Sequence, residues 1–180
     1  MSGTGKAALR RRLRGKRRDL TDAVRRAEGG RLHRRLDALP EYTSARTVFV
    51  YVAAGSEVPT APLIDDLLGR GVTVAVPQVD DADAGRMSAV RINGPPLETT
   101  PDLTILPGLG FDPETGVRLG QGGGFYDRYL AAYPGTFAVG LAFDVQLQTG
   151  LPAETHDRPV DAIVTPTRTQ RFDGRDRRGL

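Results

Sequence analysis

The chain has no cysteine. That absence removes disulfides, thiolate nucleophiles and cysteine zinc sites together. Histidine is scarce too: His33 and His156 lie far apart in sequence, and no HxxxH pair exists to chelate a metal. Any bound metal is therefore expected to be a hard ion held by carboxylates and phosphate, which suggests magnesium. No apolar run approaches the roughly 18 residues needed to cross a bilayer, so no transmembrane helix and no membrane partner are expected. The basic N-terminus lacks a following apolar stretch and does not read as a secretory signal. A cytoplasmic location is the expectation.

What is present is a soluble composition, with 39% hydrophobic and 26% charged residues in 180. That length suits one domain with a sizeable core, here 1–180. Charge is unevenly placed. Lys6, Arg10, Arg11, Arg12, Arg14, Lys16, Arg17, Arg18, Arg25, Arg26, Arg31, Arg34 and Arg35 face only Asp19, Asp22 and Glu28 within the first 35 residues, and a second basic cluster spans 168–178. Such asymmetry fits nucleic acid, a polyanionic small molecule or a solvated face, and composition does not choose among them.

Residues 1–40 read as a long basic helical region. Leu9, Leu13, Leu20, Val24 and Ala27 recur at helical spacing on one face, leaving the arginine face to solvent, and Gly29-Gly30 is expected to break or bend the helix. β-Branched and aromatic runs predict strands at 47–54, 72–79, 87–92, 103–106, 137–143 and 162–165, with a short helix at 63–68. Nearly continuous apolar strands separated by helices predict an α/β fold, a mostly parallel sheet with helices on both faces. The tail at 169–180 is expected to be loose.

The most informative stretch is LTILPGLGFDPETGVRLGQGGGFYDRYL, 103–130. A buried strand leads through a loop to Gly120, Gly122, Gly123 and Gly124, and then into a helix carrying Phe125 and Tyr129. Backbone N–H groups of such a turn can surround a phosphate. Arg118 and Arg128 add charge, Arg118 suits bidentate phosphate contact, and Asp127 in the first turn suits a magnesium ion. The loop is neither a Walker A motif nor a GxGxxG fingerprint, so on composition alone a flexible glycine turn remains an alternative.

RLGQGGGFYDRYL, preceded by LPGLGFD, resembles the hallmark of the 5-formyltetrahydrofolate cyclo-ligase family, also called methenyltetrahydrofolate synthetases. KAALR at 6–10 is similar to the family's N-terminal KxxLR, and 39–77, FAVGLAFDVQ and LPAETHDRPVDAIVT agree in order. The resemblance implies ATP and magnesium as cofactors, and a small-molecule folate substrate whose formyl oxygen is phosphorylated before ring closure; no nucleic acid is expected. It places Lys6, Arg10, Arg118, Gly120, Gly122, Gly123, Gly124, Phe125 and Tyr126 at the nucleotide, with Arg118 and Tyr126 as catalytic residues. It puts Val52 and Glu57 at the substrate, and Asp127 and Asp157 at the metal, with Asp161 a weaker substitute for Asp157. His156 is expected in a loop near the site.

One departure bears on substrate. Family members usually carry a longer segment before the strand at 103, with a GIxEP-like stretch near the folate; here only RINGPPLETTPD lies between Val90 and Leu103. Gln121 also stands where Arg or Tyr is frequent, and Pro166 where an acidic residue is frequent. Two other readings therefore stay open: the same ATP-driven carbonyl activation on a non-folate molecule, and a non-catalytic basic nucleic-acid-binding descendant.

Overall fold

Two hydrophobic periods alternate along the chain, and each builds its own kind of element. A computed structural model describes residues 3–172. Helices α1 (Gly3–Arg18), α2 (Asp22–Leu36) and α3 (Pro40–Ser44) precede strand β1 (Thr47–Val50). Helix α4 (Ala61–Gly69) then leads to β2 (Thr73–Asp81), β3 (Arg86–Arg91) and β4 (Leu103–Leu106). A two-stranded ribbon, β5 (Gly110–Phe111) with β6 (Arg118–Leu119), feeds α5 (Phe125–Ala132), followed by β7 (Phe137–Leu141), β8 (Ala162–Val164) and β9 (Thr169–Arg171).

Seven strands form one sheet in the order β3-β2-β1-β4-β7-β8-β9. The five inner strands are parallel, and β3 and β9 close the edges antiparallel. Strand alternation divides the core. Val48 and Val50 face a layer with Leu32 and Leu36 of α2, Tyr42 of α3 and Leu63 and Leu67 of α4. Phe49 between them packs with Ala75 and with Tyr129 of α5 on the other face. The predicted α/β sandwich is the observed one.

The order of the parallel strands decides where a ligand can enter. The chain leaves β1 for β2 on one side and later returns to β4 on the other. The loops at the carboxyl ends of β1 and β4 therefore diverge and leave a crevice, the usual ligand position in open α/β sheets.

Three expectations are corrected. Gly29-Gly30 does not break a helix: α2 runs through both, because Gly29 is buried on the packed face, where a Cβ would stand 3.4 Å from Pro59 Cδ. The break falls instead before Thr21, whose side chain caps α2 by accepting from Val24 N. This resets the helical phase, so Val24 and Ala27 are exposed rather than core. The arginine face is not wholly solvated, since Arg17 is buried. Nor is the whole 169–180 tail loose, because Thr169–Arg171 pairs with β8 and Arg171 grips Glu41 with Nη1 and Nη2; residues 173–180 lie outside the described part.

Candidate active site

Helix α1 lies across the crevice. Lys6, Arg10, Leu13 and Arg17 follow at helical intervals and share the face turned inward. Leu13 is the anchor, fully buried, with its Cδ1 2.6 Å from where a Cβ on Gly110 would stand. A larger residue at 110 would force the Leu13 side chain to shift. With Leu13 seated, Lys6 reaches Glu154 at 2.9 Å and Asp157 at 3.4 Å, and Arg10 Nε donates to Gly120 O at 3.1 Å.

The short ribbon exists to deliver Arg118. Its guanidinium donates to Asp127 Oδ2 at 3.0 Å and Pro107 O at 3.4 Å, and lies 5.5 Å from the centre of the Tyr126 ring. Its Nε is buried without a hydrogen-bond partner among the described residues. Gly120 is required beside it, since a Cβ there would sit 2.8 Å from Nη1. Gly124 forms the N-cap of α5 at φ 66°, a left-handed conformation that glycine alone takes without strain. It has no side chain to cap the first N–H groups of α5, which leaves them for an anion.

These groups line one cavity of about 310 Å³, with Gly120 to Gly124, Lys6, Arg10 and Arg118 at one end and Glu57 at the other. Glu57 accepts from Ala54 N through Oε2, and its Oε1 lies 3.8 Å from Arg17. Burial first, with the Glu57 charge adding, raises the Tyr126 phenol far above its ordinary value against the pull of Arg118, so it stays protonated. The Glu154 carboxyl is held below the usual range by its hydrogen bond to Lys6 and by that residue's charge.

The profile of the 5-formyltetrahydrofolate cyclo-ligase family matches residues 2–166. The chain belongs to that family. It is 34% identical over 178 residues to the 5-formyltetrahydrofolate cyclo-ligase of Escherichia coli strain K12, covering 87% of this chain and 97% of that one. Identity to the cyclo-ligase of Mycolicibacterium smegmatis is 33% over 191 aligned residues, covering 93% and 97%. That alignment is longer than this chain, so the relative carries insertions that this cyclo-ligase family member lacks. The solved structure of Aquifex aeolicus 5,10-methenyltetrahydrofolate synthetase superposes with a TM-score of 0.82 at 29% identity, covering 95% of each chain.

Within this cyclo-ligase fold, the nucleotide-site residues expected from sequence come together. Lys6, Arg10, Arg118, Gly120, Gly122, Gly123, Gly124, Phe125, Tyr126, Asp127 and Asp157 all line the cavity. The two residues expected at the metal both line the cavity and have different side-chain partners. Asp127 spends Oδ2 on Arg118 and Oδ1 on Arg158 N at 3.0 Å. Asp157 instead gathers with Glu154 and His156, their ligand atoms within 4.8 Å of one another. Asp161 is structural, accepting from Ala138 N at 2.8 Å. Val52 is 60% exposed and does not line the cavity.

Sequence reasoning missed Glu154, Arg17 and the Pro107-Gly108 turn. For Arg17 a signal was available: Lys6, Arg10, Leu13 and Arg17 form a helical stripe that the leucine-only pattern concealed.

Proposed function

We propose that this protein converts 5-formyltetrahydrofolate to 5,10-methenyltetrahydrofolate with consumption of ATP in the presence of magnesium. The γ-phosphoryl group passes to the formyl oxygen as its bond to ADP breaks. The neighbouring nitrogen then attacks the formyl carbon, the phosphate departs with the former formyl oxygen, and that nitrogen loses its proton. The protein's part is positioning and charge neutralisation.

The uncapped start of α5 and the N–H groups of the glycine loop suit the phosphates, with Lys6 and Arg10 above them. Arg118 is fixed by Asp127 in the cavity lining, where its charge suits the charge that develops during transfer. The protonated Tyr126 presents its ring to the bound molecules. Asp157, with Glu154 beside it, offers the oxygen donors a hard cation prefers, now held by Lys6, and Asp127 offers a further carboxylate whose oxygens also accept from Arg118 and the Arg158 N–H. Magnesium, when bound, neutralises charge on the phosphoryl oxygens.

The observation that carries this reading is that one cavity, at the sheet's switch point, joins an anion-binding helix start and three cations to Glu57. Formation of the methenyl product, followed by absorbance, is expected to require both ATP and magnesium. At a hundredfold its dissociation constant, MgATP should add roughly 2.7 kcal/mol to apparent stability. A chain that neither forms product nor melts higher with MgATP would sink the proposal.

The short connection at 91–102 favours a second reading, the same chemistry on a non-folate carbonyl compound. Leu97 is pinned back on β3, its N–H donating to Ala89 O at 2.7 Å, and no residue of 91–102 lines the cavity. No product from 5-formyltetrahydrofolate, with MgATP binding intact, selects this reading. Nucleic-acid binding loses support, because Arg10 and Arg17 turn inward to Gly120 and Gly108 and Arg14 is paired with Gln121. Among the described residues no helix is long and apolar enough to cross a membrane.

A further inference from the structure

Arg17 is a buried cation that the chemistry above does not use. Its residue is 5% exposed, on the inward stripe of α1. Nε donates to Ser56 Oγ at 3.0 Å, and Nη1 donates to Gly108 O at 3.1 Å while lying 3.8 Å from Glu57 Oε1. One planar fork therefore meets the loop after β1 and the turn after β4, the two segments that diverge to form the crevice.

The surroundings show what this fork controls. The loop after β1 is tied internally, by Tyr51 Oη donating to Val58 O at 2.8 Å and by Thr60 Oγ1 donating to Tyr51 O at 2.9 Å. These bonds fix its shape but not its distance from the glycine loop. The Gly108 carbonyl is held from a second side by Gln146 Nε2 at 2.8 Å. Arg17 thus ties the Glu57 loop to a carbonyl that Gln146 already holds. It also sits eleven residues along α1 from Lys6, about 16 Å at helical rise. The same rigid helix carries Lys6 and Arg10 at the phosphate end and Arg17 at the Glu57 end. Burying a guanidinium costs desolvation that an ion pair rarely repays in stability, so its retention points to specification of geometry.

We propose that Arg17 is a positioning residue, which holds Ser56 and Glu57 against Gly108 and so sets the substrate end of the cavity relative to the nucleotide end. This rests on the proposed reading of Glu57 as a substrate contact. Arg17→Lys keeps the charge but loses the fork.

The test joins amide hydrogen exchange with kinetics. In Arg17→Lys, amides at 54–58 should exchange faster, while those at 118–127 keep their protection. The KM for 5-formyltetrahydrofolate should rise about tenfold, the worth of one charged hydrogen bond. The KM for MgATP should stay within about twofold, as for an uncoupled site. In a Glu57→Gln background, where the partner charge is gone, the same substitution should change the folate KM by less than about threefold. Unchanged protection at 54–58 overturns the inference, as does a parallel rise in both KM values or a full effect in the Glu57→Gln background. A variant without a cooperative melt assigns Arg17 to the fold alone and overturns it too. A wild type inert toward 5-formyltetrahydrofolate rejects the proposed substrate only, and the exchange result then decides Arg17 by itself.

Discussion

At the glycine-loop end of the cavity, Arg118, Asp127 and Gly120 are fixed by contacts from three elements; at the other end, Glu57 is held by Ala54 N and Arg17, and no residue of 91–102 closes over it. The first end is a pre-organised polar surface that needs little rearrangement to meet phosphates. The second is open, because the short connection at 91–102 lies down on β3 instead of reaching over the crevice. Rigidity at one end and openness at the other fit the proposed phosphoryl transfer to a less enclosed acceptor.

The largest expected effect breaks the rigid end. Arg118→Met removes a buried charge from both the cavity floor and Asp127, and should lower kcat/KM by roughly a hundredfold to a thousandfold, as loss of a positioned transition-state donor does. Steady-state kinetics with ATP varied measures it. A variant within a few-fold of wild type would make the two ends equivalent and undo the comparison.

A smaller effect sharpens the open end. Less enclosure means poorer positioning of the acceptor, so kcat/KM for 5-formyltetrahydrofolate should fall below that of a relative with the longer connection, by about tenfold or the equivalent of 1.4 kcal/mol. Side-by-side assays decide it, and equal efficiencies would show that the connection is dispensable.

The smallest effect concerns the scaffold behind Arg118. Asp112, at the turn of the β5–β6 ribbon, accepts from Glu114 N at 2.9 Å and Thr115 N at 3.3 Å through Oδ1, and from Leu151 N at 3.1 Å through Oδ2. Burial alone would raise its carboxyl, but these N–H groups and that of Gly150 outweigh it and hold the carboxyl below its ordinary value. A lowered folded value means the stabilisation is complete above the unfolded value of about 3.9 and is lost as pH falls through the folded one. Asp112→Asn sets an amide against Leu151 N and should cost about 1–3 kcal/mol at neutral pH. Denaturant titrations across pH should show the gap to wild type narrowing below about pH 4. A gap independent of pH would remove the carboxylate charge from the account.

The sequence was most legible where spacing and chemistry coincide. Strand positions followed from apolar runs, though β1 ends at Val50 because Tyr51 turns to hydrogen-bond Val58 O within the loop. The β5–β6 ribbon was not legible, since two-residue strands carry no periodicity. Leucine spacing alone misplaced the first helices, because the phase reset at Thr21 is a capping event rather than a hydrophobic one.

By itself, the sequence determined the α/β class and the glycine loop, because these follow from residue type at short range, while Lys6, Arg10 and Asp157 were placed there by the family resemblance. Only the tertiary structure decided that Asp127 belongs to Arg118 while Asp157 meets Lys6, and that Arg17 is buried against Glu57. Those pairings join residues from 9 to 151 positions apart in the chain, and only the closing of the β1–β4 crevice under α1 determines which charges meet.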